Sequence, residues 1–473
     1  MPNFSIENFG CRATDADAAA LRRSLLASGL TVVGDHAAAD FVVLNTCTVT
    51  AAADSQARDS VRKIHRSNPG AQIIVTGCYA QRSPEELASL AGVAWVVGNS
   101  HQTEIPELIR NFQSTQHASS PTVNLLTASN FVPLSRLDDD VMSLARGPAK
   151  ILTGDIFAET SMQIAPQGSG IKGDRTRPIL KIQDGCNNRC SYCVIPFVRG
   201  RSRSLAPDEV VAEVRKLAAS GTKEVVLSGI NLGSYGRDLV PRAALGDVVR
   251  RILDETALEQ LRFSSVEPQD VTEDFIALVA SSERIARHFH IPLQSGSDKI
   301  LRGMHRWYRA AHYAERIGRI QSIIPDAAIG ADVIVGFPGE SDDDFRITYE
   351  FIETLPLTYL HVFSFSSRPG TKAADLAAPV DTLIVRDRAR ALRSLSQRKA
   401  AEFRASQQGR TVRAITLAKG GPDWTEALTG NYLKVKISGR LPANLWCEAE
   451  ISADEGAIGR HELVSTSTTS SQK

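Results

Sequence analysis

The segment Cys186-Asn187-Asn188-Arg189-Cys190-Ser191-Tyr192-Cys193 carries three thiols at CxxxCxxC spacing. Three thiolates so close on one loop can hold three irons of a [4Fe–4S] cluster and leave the fourth open to a substrate. Zinc is the competing reading, but structural zinc wants four ligands, usually as two CxxC or CxxH pairs. No neighbouring His or Cys completes such a set, so the spacing favours iron–sulfur. Three more cysteines, Cys11, Cys47 and Cys78, lie roughly thirty residues apart. Taken singly, each reads equally well as a small buried residue. The seventh, Cys447, has no partner in the pattern and reads as a structural thiol. An odd count in a long chain argues against a disulfide framework.

The surrounding elements suggest how the scattered thiols meet. Residues 1–112 alternate strand and helix: Phe4–Phe9, then a helix near Asp15–Ser28, the buried run Asp40–Asn45, a helix over Ala51–Arg66 stopped by Asn68-Pro69-Gly70, and the strand Gln72–Thr76. Cys11, Cys47 and Cys78 each follow a strand and precede a helix. In an open parallel α/β sheet those strand ends share one edge, where ligands bind. Residues 113–177 have weak periodicity and a Pro166-Gln167-Gly168-Ser169-Gly170 run, so they read as a partly loosely ordered linker or insertion.

From 178 to 400 the alternation resumes. Strands are expected at Ile179–Gln183, Glu224–Ser228, Leu261–Ser265, His288–Leu293, Ile329–Val335 and Leu360–Phe365. Helices are expected at Pro207–Ser220, Asp247–Thr256, Arg309–Ile323 and Asp342–Leu355. Helical crossovers between successive strands predict a partial (β/α) barrel. One long helix over about 381–408 opens an Arg/Lys-rich stretch. Residues 401–467 then read as a small all-β module. The fold class is therefore α/β, followed by a small all-β module.

The bulk numbers set outer limits. A chain of 473 residues needs several domains, and 42% hydrophobic with 23% charged residues is ordinary for a globular protein. No window has the roughly 18–20 apolar residues of a membrane span, and residues 1–7 do not resemble a signal peptide. The cytoplasm is the expected compartment, with no membrane partner. A net charge of +1 neither requires nor forbids a nucleic-acid partner.

With its aromatic Tyr192, the cysteine loop resembles the radical-SAM superfamily, whose members carry CxxxCx(aromatic)C. The resemblance implies that Cys186, Cys190 and Cys193 bind a [4Fe–4S] cluster whose fourth iron chelates S-adenosylmethionine. Cofactor contacts are then expected from Tyr192, from Ser228 and Gly229 after one strand, from Glu267 after another, and from Ile334 and Gly336 in Val333-Ile334-Val335-Gly336-Phe337-Pro338-Gly339-Glu340.

Apart from roughly 113–175, the whole chain resembles the methylthiotransferases. In that family three N-terminal cysteines bind a second [4Fe–4S] cluster, which implies Cys11 in Phe9-Gly10-Cys11, Cys47 in Asn45-Thr46-Cys47 and Cys78 in Thr76-Gly77-Cys78. One S-adenosylmethionine would methylate a sulfur there; a second would give the radical that removes a substrate hydrogen. The resemblance also implies an electron donor and a sulfur source as partners, and two clusters facing a common cavity. Asn45-Thr46-Cys47-Thr48-Val49-Thr50, Lys181-Ile182-Gln183-Asp184-Gly185-Cys186 and His290-Ile291-Pro292-Leu293-Gln294-Ser295-Gly296-Ser297 look like the branch that modifies carbon 2 of threonylcarbamoyladenosine in tRNA. Isopentenyladenosine in tRNA and an aspartate of a ribosomal protein are the alternatives. Arg12-Ala13-Thr14-Asp15 departs from the usual Lys-x-Asn segment after the first cysteine.

The C-terminal piece resembles a TRAM domain, a small β-barrel that binds RNA, around Leu428-Thr429-Gly430-Asn431-Tyr432-Leu433-Lys434-Val435. That implies an RNA partner, with Tyr432 stacking on a base. The Arg-rich helix before it reads equally as a phosphate contact or a solvated face. Arg199, Arg201 and Arg203, directly after the cluster loop, are placed to position a tRNA anticodon stem-loop near the radical. The non-catalytic alternative is an RNA-binding protein with structural metals. Iron and sulfide analysis separates the two, since two [4Fe–4S] clusters carry about eight irons.

Overall fold

The computed structural model describes residues 2–118, 149–160, 162, 176–459 and 461–463. It has two compact units, one of residues 1–165 with 194–201 and one of 166–193 with 202–473. Among the described residues no helix is long and apolar enough to cross a membrane.

In the first unit, strands β1 Asn3–Asn8, β2 Thr31–Val32, β3 Phe41–Thr46, β4 Gln72–Gly77, β5 Val93–Gly98 and β6 Lys150–Leu152 form a parallel sheet. Their order is β2-β1-β3-β4-β5-β6. The runs in β3 and β4 are apolar throughout because both faces of the sheet are covered. Val42, Leu44, Ile73 and Val75 feed one core, while Phe41, Val43 and Ile74 feed the other. Helices α1 Arg12–Ala27, α2 Ala51–Ser67, α3 Cys78–Arg82, α4 Pro84–Ala88 and α5 Ile105–Ala118 follow successive strands, and α6 Ile195–Arg199 joins this unit from further along the chain. Thr50 caps α2 by accepting from the Ala53 N–H. Strand β6 lies inside the stretch read from sequence as a linker. Lys150 and Ile151 are exposed, so its three residues show no burial alternation to detect.

In the second unit, β7 Ile179–Asp184, β9 Glu224–Gly229 and β10 Gln260–Phe263 run parallel, with the short antiparallel β8 Arg203–Ser204 at one edge. Strands β11 His288–His290, β12 Ala328–Val335 and β13 Tyr359–Ser364 continue the wall, and bridges Leu261–Ile285 and Ser265–His290 join the two groups. The six parallel strands are the six expected from periodicity. Outside them lie α7 Pro207–Ala219, α8 Leu245–Glu255, α9 Glu273–Ala280, α10 Asp298–Gly303, α11 Ala310–Ile323 and α12 Asp342–Thr354. Ser341 and Asp344 form a reciprocal cap at the start of α12, at 3.2 and 3.0 Å.

Helix α13 Thr382–Ser406 leads into a curled six-stranded sheet: β14 Thr411–Gly420, β15 Trp424–Thr429, β16 Lys434–Ser438, β17 Trp446–Glu450, β18 Ile458–Gly459 and β19 His461–Leu463. Its order is β18-β16-β15-β14-β17-β19, antiparallel except for β16 with β18. This half-barrel packs on the strand-start end of the parallel wall. Arg262, fully buried, pairs with Glu224 at 2.7 Å and donates to the carbonyls of Gly430 and Thr429 at 3.0 and 3.1 Å. Cys447 is buried in this sheet, its Sγ 3.5 Å from the Ala414 carbonyl, and so is structural as expected.

Candidate active site

Cys11, Cys47 and Cys78 follow β1, β3 and β4, three neighbours in the sheet. The strand order reverses at β1 and β3, and ligands bind at such a switch point beyond the strand ends. Two glycines let the loops close here. Gly10 has φ +118°, and a Cβ on it would lie 2.5 Å from Cys47 Cβ and 3.0 Å from its Sγ. Gly77 has φ +97°, and a Cβ would strike the Thr46 carbonyl at 2.4 Å. Asn45 ties the first two loops together, donating to Asn8 Oδ1 at 2.9 Å and to the Thr14 carbonyl at 2.8 Å. The atypical segment after Cys11 is the first turn of α1, where Asp15 accepts from Asn8 at 2.7 Å.

Cys47 and Cys78 are buried and Cys11 is exposed. Burial, then the neighbouring thiols of Cys78 and Cys11, pushes Cys47 up to about 12. Burial raises Cys78 as well, while the Arg199 guanidinium opposes that rise. Asn99 reaches Cys78 Sγ at 3.5 Å and the Val198 carbonyl at 2.7 Å. Two buried thiols raised by burial and by their thiol neighbours, with the Arg199 cation opposing both shifts, fit an iron–sulfur group, whose metal takes the place of the protons. A Gly10→Ala variant is expected to lose this site, since left-handed backbone and the contact with Cys47 together cost about 1–3 kcal/mol. Iron analysis checks it: about four irons per chain instead of about eight.

In the second unit Cys186, Cys190 and Cys193 sit on the loop after β7. Gln183 fastens the loop, donating to the carbonyls of Asp184 and Gly185 at 2.8 Å and accepting from the Asn231 N–H at 2.7 Å. Ser191 anchors its middle through the Gly303 carbonyl at 2.7 Å. Arg306 donates to Cys190 Sγ at 3.2 Å and pairs with Glu267. Burial raises Cys186 to about 11, and the Asn188 N–H, 3.4 Å from its Sγ, opposes this. Thiols faced by N–H donors, with an arginine beside one of them, suit a thiolate-ligated cluster. Sequence reasoning places Gln183 and Asn231 only within longer motifs, without their role in fastening this loop, and does not single out Arg306, because none stands in the cysteine motif.

The expected S-adenosylmethionine contacts have mixed surroundings. Tyr192 packs with Ile300, Met304, Ile334, Phe337 and Phe365 against the loop. Ser228 is buried at the end of β9. A Cβ on Gly229 would meet Gln183 Oε1 at 2.8 Å, which gives that glycine a packing role. Glu267 is engaged by Arg306, and burial raises its carboxyl. The Gly336 N–H donates to Glu340 at 2.8 Å, and Glu340 pairs with Arg388 of α13 at 2.7 Å.

The expected RNA contacts fare differently. Arg199 is only 2% exposed and donates to Asp17 at 2.7 Å, so it serves the cysteine site and presents nothing to solvent. Arg203 lies 3.6 Å from Asp184. Arg201 is exposed. Tyr432 stacks on His288 at 4.2 Å and Tyr359 at 5.7 Å, which makes it a docking residue of the half-barrel. Along α13, Arg388 and Arg404 are buried, and Lys399 donates to the Glu353 and Leu355 carbonyls at 2.9 and 2.7 Å. Arg386, Arg390 and Arg393 remain on one exposed face.

A parallel partial barrel with this three-cysteine loop after its first strand defines a radical-SAM enzyme. Residues 180–352 match the Radical SAM superfamily, and residues 3–98 match the uncharacterized protein family UPF0004. Threonylcarbamoyladenosine tRNA methylthiotransferase MtaB of Aquifex aeolicus is 36% identical, over 92% of this chain and 96% of that one. The Bacillus subtilis protein of the same name is 33% identical over 93% and 91%. A tRNA-2-methylthio-N(6)-dimethylallyladenosine synthase of Syntrophobacter fumaroxidans is 34% identical over 80% and 78%. The chain belongs to the radical-SAM methylthiotransferase family, and its cofactors are S-adenosylmethionine and [4Fe–4S] clusters. In fold it is similar to the radical S-adenosylmethionine methyltransferase TsrM of Kitasatospora setae, at TM-score 0.58 and 16% identity over 79% of this chain and 77% of that one.

Proposed function

We propose that this chain methylthiolates carbon 2 of threonylcarbamoyladenosine next to the anticodon of tRNA. The observation that carries the reading is near-full-length similarity to relatives named for that modification, at 36% and 33% identity, in a chain with both cysteine trios. Cys11, Cys47 and Cys78 would hold one [4Fe–4S] cluster. Cys186, Cys190 and Cys193 would hold the other, with S-adenosylmethionine on its fourth iron. Bound there, these groups supply a nucleophilic sulfur and a one-electron cleavage.

The protein's own residues do the positioning. Gln183 and Ser191 fix the cysteine loop, and Arg306 holds Cys190 and Glu267 in one register. The apolar wall of Tyr192, Phe337 and Phe365 excludes water from radical chemistry. Ser228, Gly229, Glu267, Ile334 and Gly336 would line the bound S-adenosylmethionine. Arg201 in the first unit attracts RNA phosphates, as do Arg386, Arg390 and Arg393 of α13 in the second, and Trp307, which is 75% exposed, offers a face to an unstacked base. An electron donor and a sulfur source complete the turnover, in the cytoplasm. Mass spectrometry of tRNA nucleosides from cells lacking the protein tests the assignment. The methylthio form of threonylcarbamoyladenosine should vanish and the unthiolated form accumulate. Loss of methylthio-isopentenyladenosine instead would move the chain to that substrate.

A further inference from the structure

His290, Asp332 and His361 stand on three successive strands, β11, β12 and β13, with ligand atoms all within 4.8 Å of one another. Asp332 Oδ1 lies 2.9 Å from His290 Nε2 and 3.2 Å from His361 Nδ1. His290 is fixed from behind, its Nδ1 3.2 Å from the Tyr359 hydroxyl, which is itself 2.8 Å from His288 Nε2. On β12 the side chains of Ala331, Val333 and Val335 are fully buried, while Asp332 and Ile334 are only partly so. The trio therefore occupies the open face of the wall, one pleat repeat, about 7 Å, before Ile334. Asp332 also lies near enough to Glu267 to influence its ionisation.

The gradient of exposure across the trio is informative. His290 is buried, Asp332 is 23% exposed and His361 is 52% exposed. A buried base and carboxylate thus orient an outer imidazole whose Nε2 has no partner among the described residues. We propose that His361, held by Asp332 and His290, reads the polar substituent on the adenosine and sets the preference for it over an apolar one. The inference rests on the proposed function. A threonine joined through a carbamoyl group carries a carboxylate and a hydroxyl; an isopentenyl group carries neither. With Nδ1 turned to Asp332, Nε2 of His361 is left to hydrogen-bond the polar groups of the threonine, a bond with no counterpart in a hydrocarbon. Two histidines and a carboxylate are also a metal-ligand set, and the test must separate that occupant.

The experiment uses full-length enzyme with both clusters reconstituted anaerobically. Its substrates are anticodon stem-loop RNAs bearing threonylcarbamoyladenosine or isopentenyladenosine. For His361→Phe the KM for the first RNA should rise roughly ten- to hundred-fold, the range of a hydrogen bond to a charged group. The change should fall on KM more than on kcat, and the preference over isopentenyl RNA should shrink by the same factor. His361→Gln, which keeps a donor, should recover part of it and guards against a variant that misfolds. An unaltered preference in His361→Phe, with the wild type active on threonylcarbamoyl RNA, overturns this inference alone. A wild type active only on isopentenyl RNA overturns the proposed function and this with it. One equivalent of zinc bound by the wild type and absent from His361→Phe overturns it in favour of a metal site.

Discussion

Replacing Cys186, Cys190 or Cys193 with alanine is expected to abolish reductive cleavage of S-adenosylmethionine and, with it, all product. Replacing Cys11, Cys47 or Cys78 should produce a different failure: 5′-deoxyadenosine still forms, but no methylthiolated RNA does. The two trios lie in different compact units, so each loss should remove one cluster, from about eight irons per chain to about four. Deoxyadenosine by chromatography, nucleosides by mass spectrometry and iron content are read on the same samples. A Cys47→Ala chain that retains eight irons and forms product would remove the basis for a second cluster site.

The second large effect concerns stability. Arg262 and Glu224 are both fully buried and paired at 2.7 Å, and Arg177 approaches Glu224 at 3.2 Å. The two arginines hold the Glu224 carboxyl below its usual range against the cost of burial. Arg262→Ala strands most of that charge and also releases the Thr429 and Gly430 carbonyls. A loss of about 3–5 kcal/mol is expected, as for other broken buried pairs. Urea unfolding should show it, with the half-barrel becoming the first site of limited proteolysis. Arg262→Met combined with Glu224→Gln should recover part of the loss, because no unpaired charge then remains buried. A midpoint unchanged by Arg262→Ala would show that the half-barrel is held by its apolar contacts instead.

Much of the scaffold was legible because its signals are local. The runs Phe41–Leu44 and Ile73–Val75 are apolar on both strand faces, and the chain stops at Asn68-Pro69-Gly70 were plain. The six parallel strands of the second unit fell where the periodicity put them, to within a few residues. The cysteines stand at positions that sequence order reveals: Cys11, Cys47 and Cys78 each follow a strand, and Cys186, Cys190 and Cys193 share one loop at CxxxCxxC spacing. The failures share a different cause. Arg199 and Tyr432 carry the right chemistry for RNA, but their fate depends on Asp17 and His288, which lie 182 and 144 positions away in the chain. Arg306 was invisible for the same reason: its contact with Cys190 spans 116 residues. Nor could the row of basic residues on α13 be read alone. Glu340, Asp342 and Glu353, which take up part of its charge, come from earlier in the chain.

The half-barrel is fastened through Tyr432 to His288 and Tyr359, which begin parallel strands of the wall, whereas the thiol loop leaves from where the first strand of that wall ends. Strand β12, with its eight residues, measures the separation at roughly 26 Å. Were the half-barrel to hold the RNA, the nucleic acid would have to bridge that span. Trimming a hairpin below that length should then slow turnover even when every nucleotide beside the target is kept, and unchanged turnover would show that the half-barrel takes no part in binding.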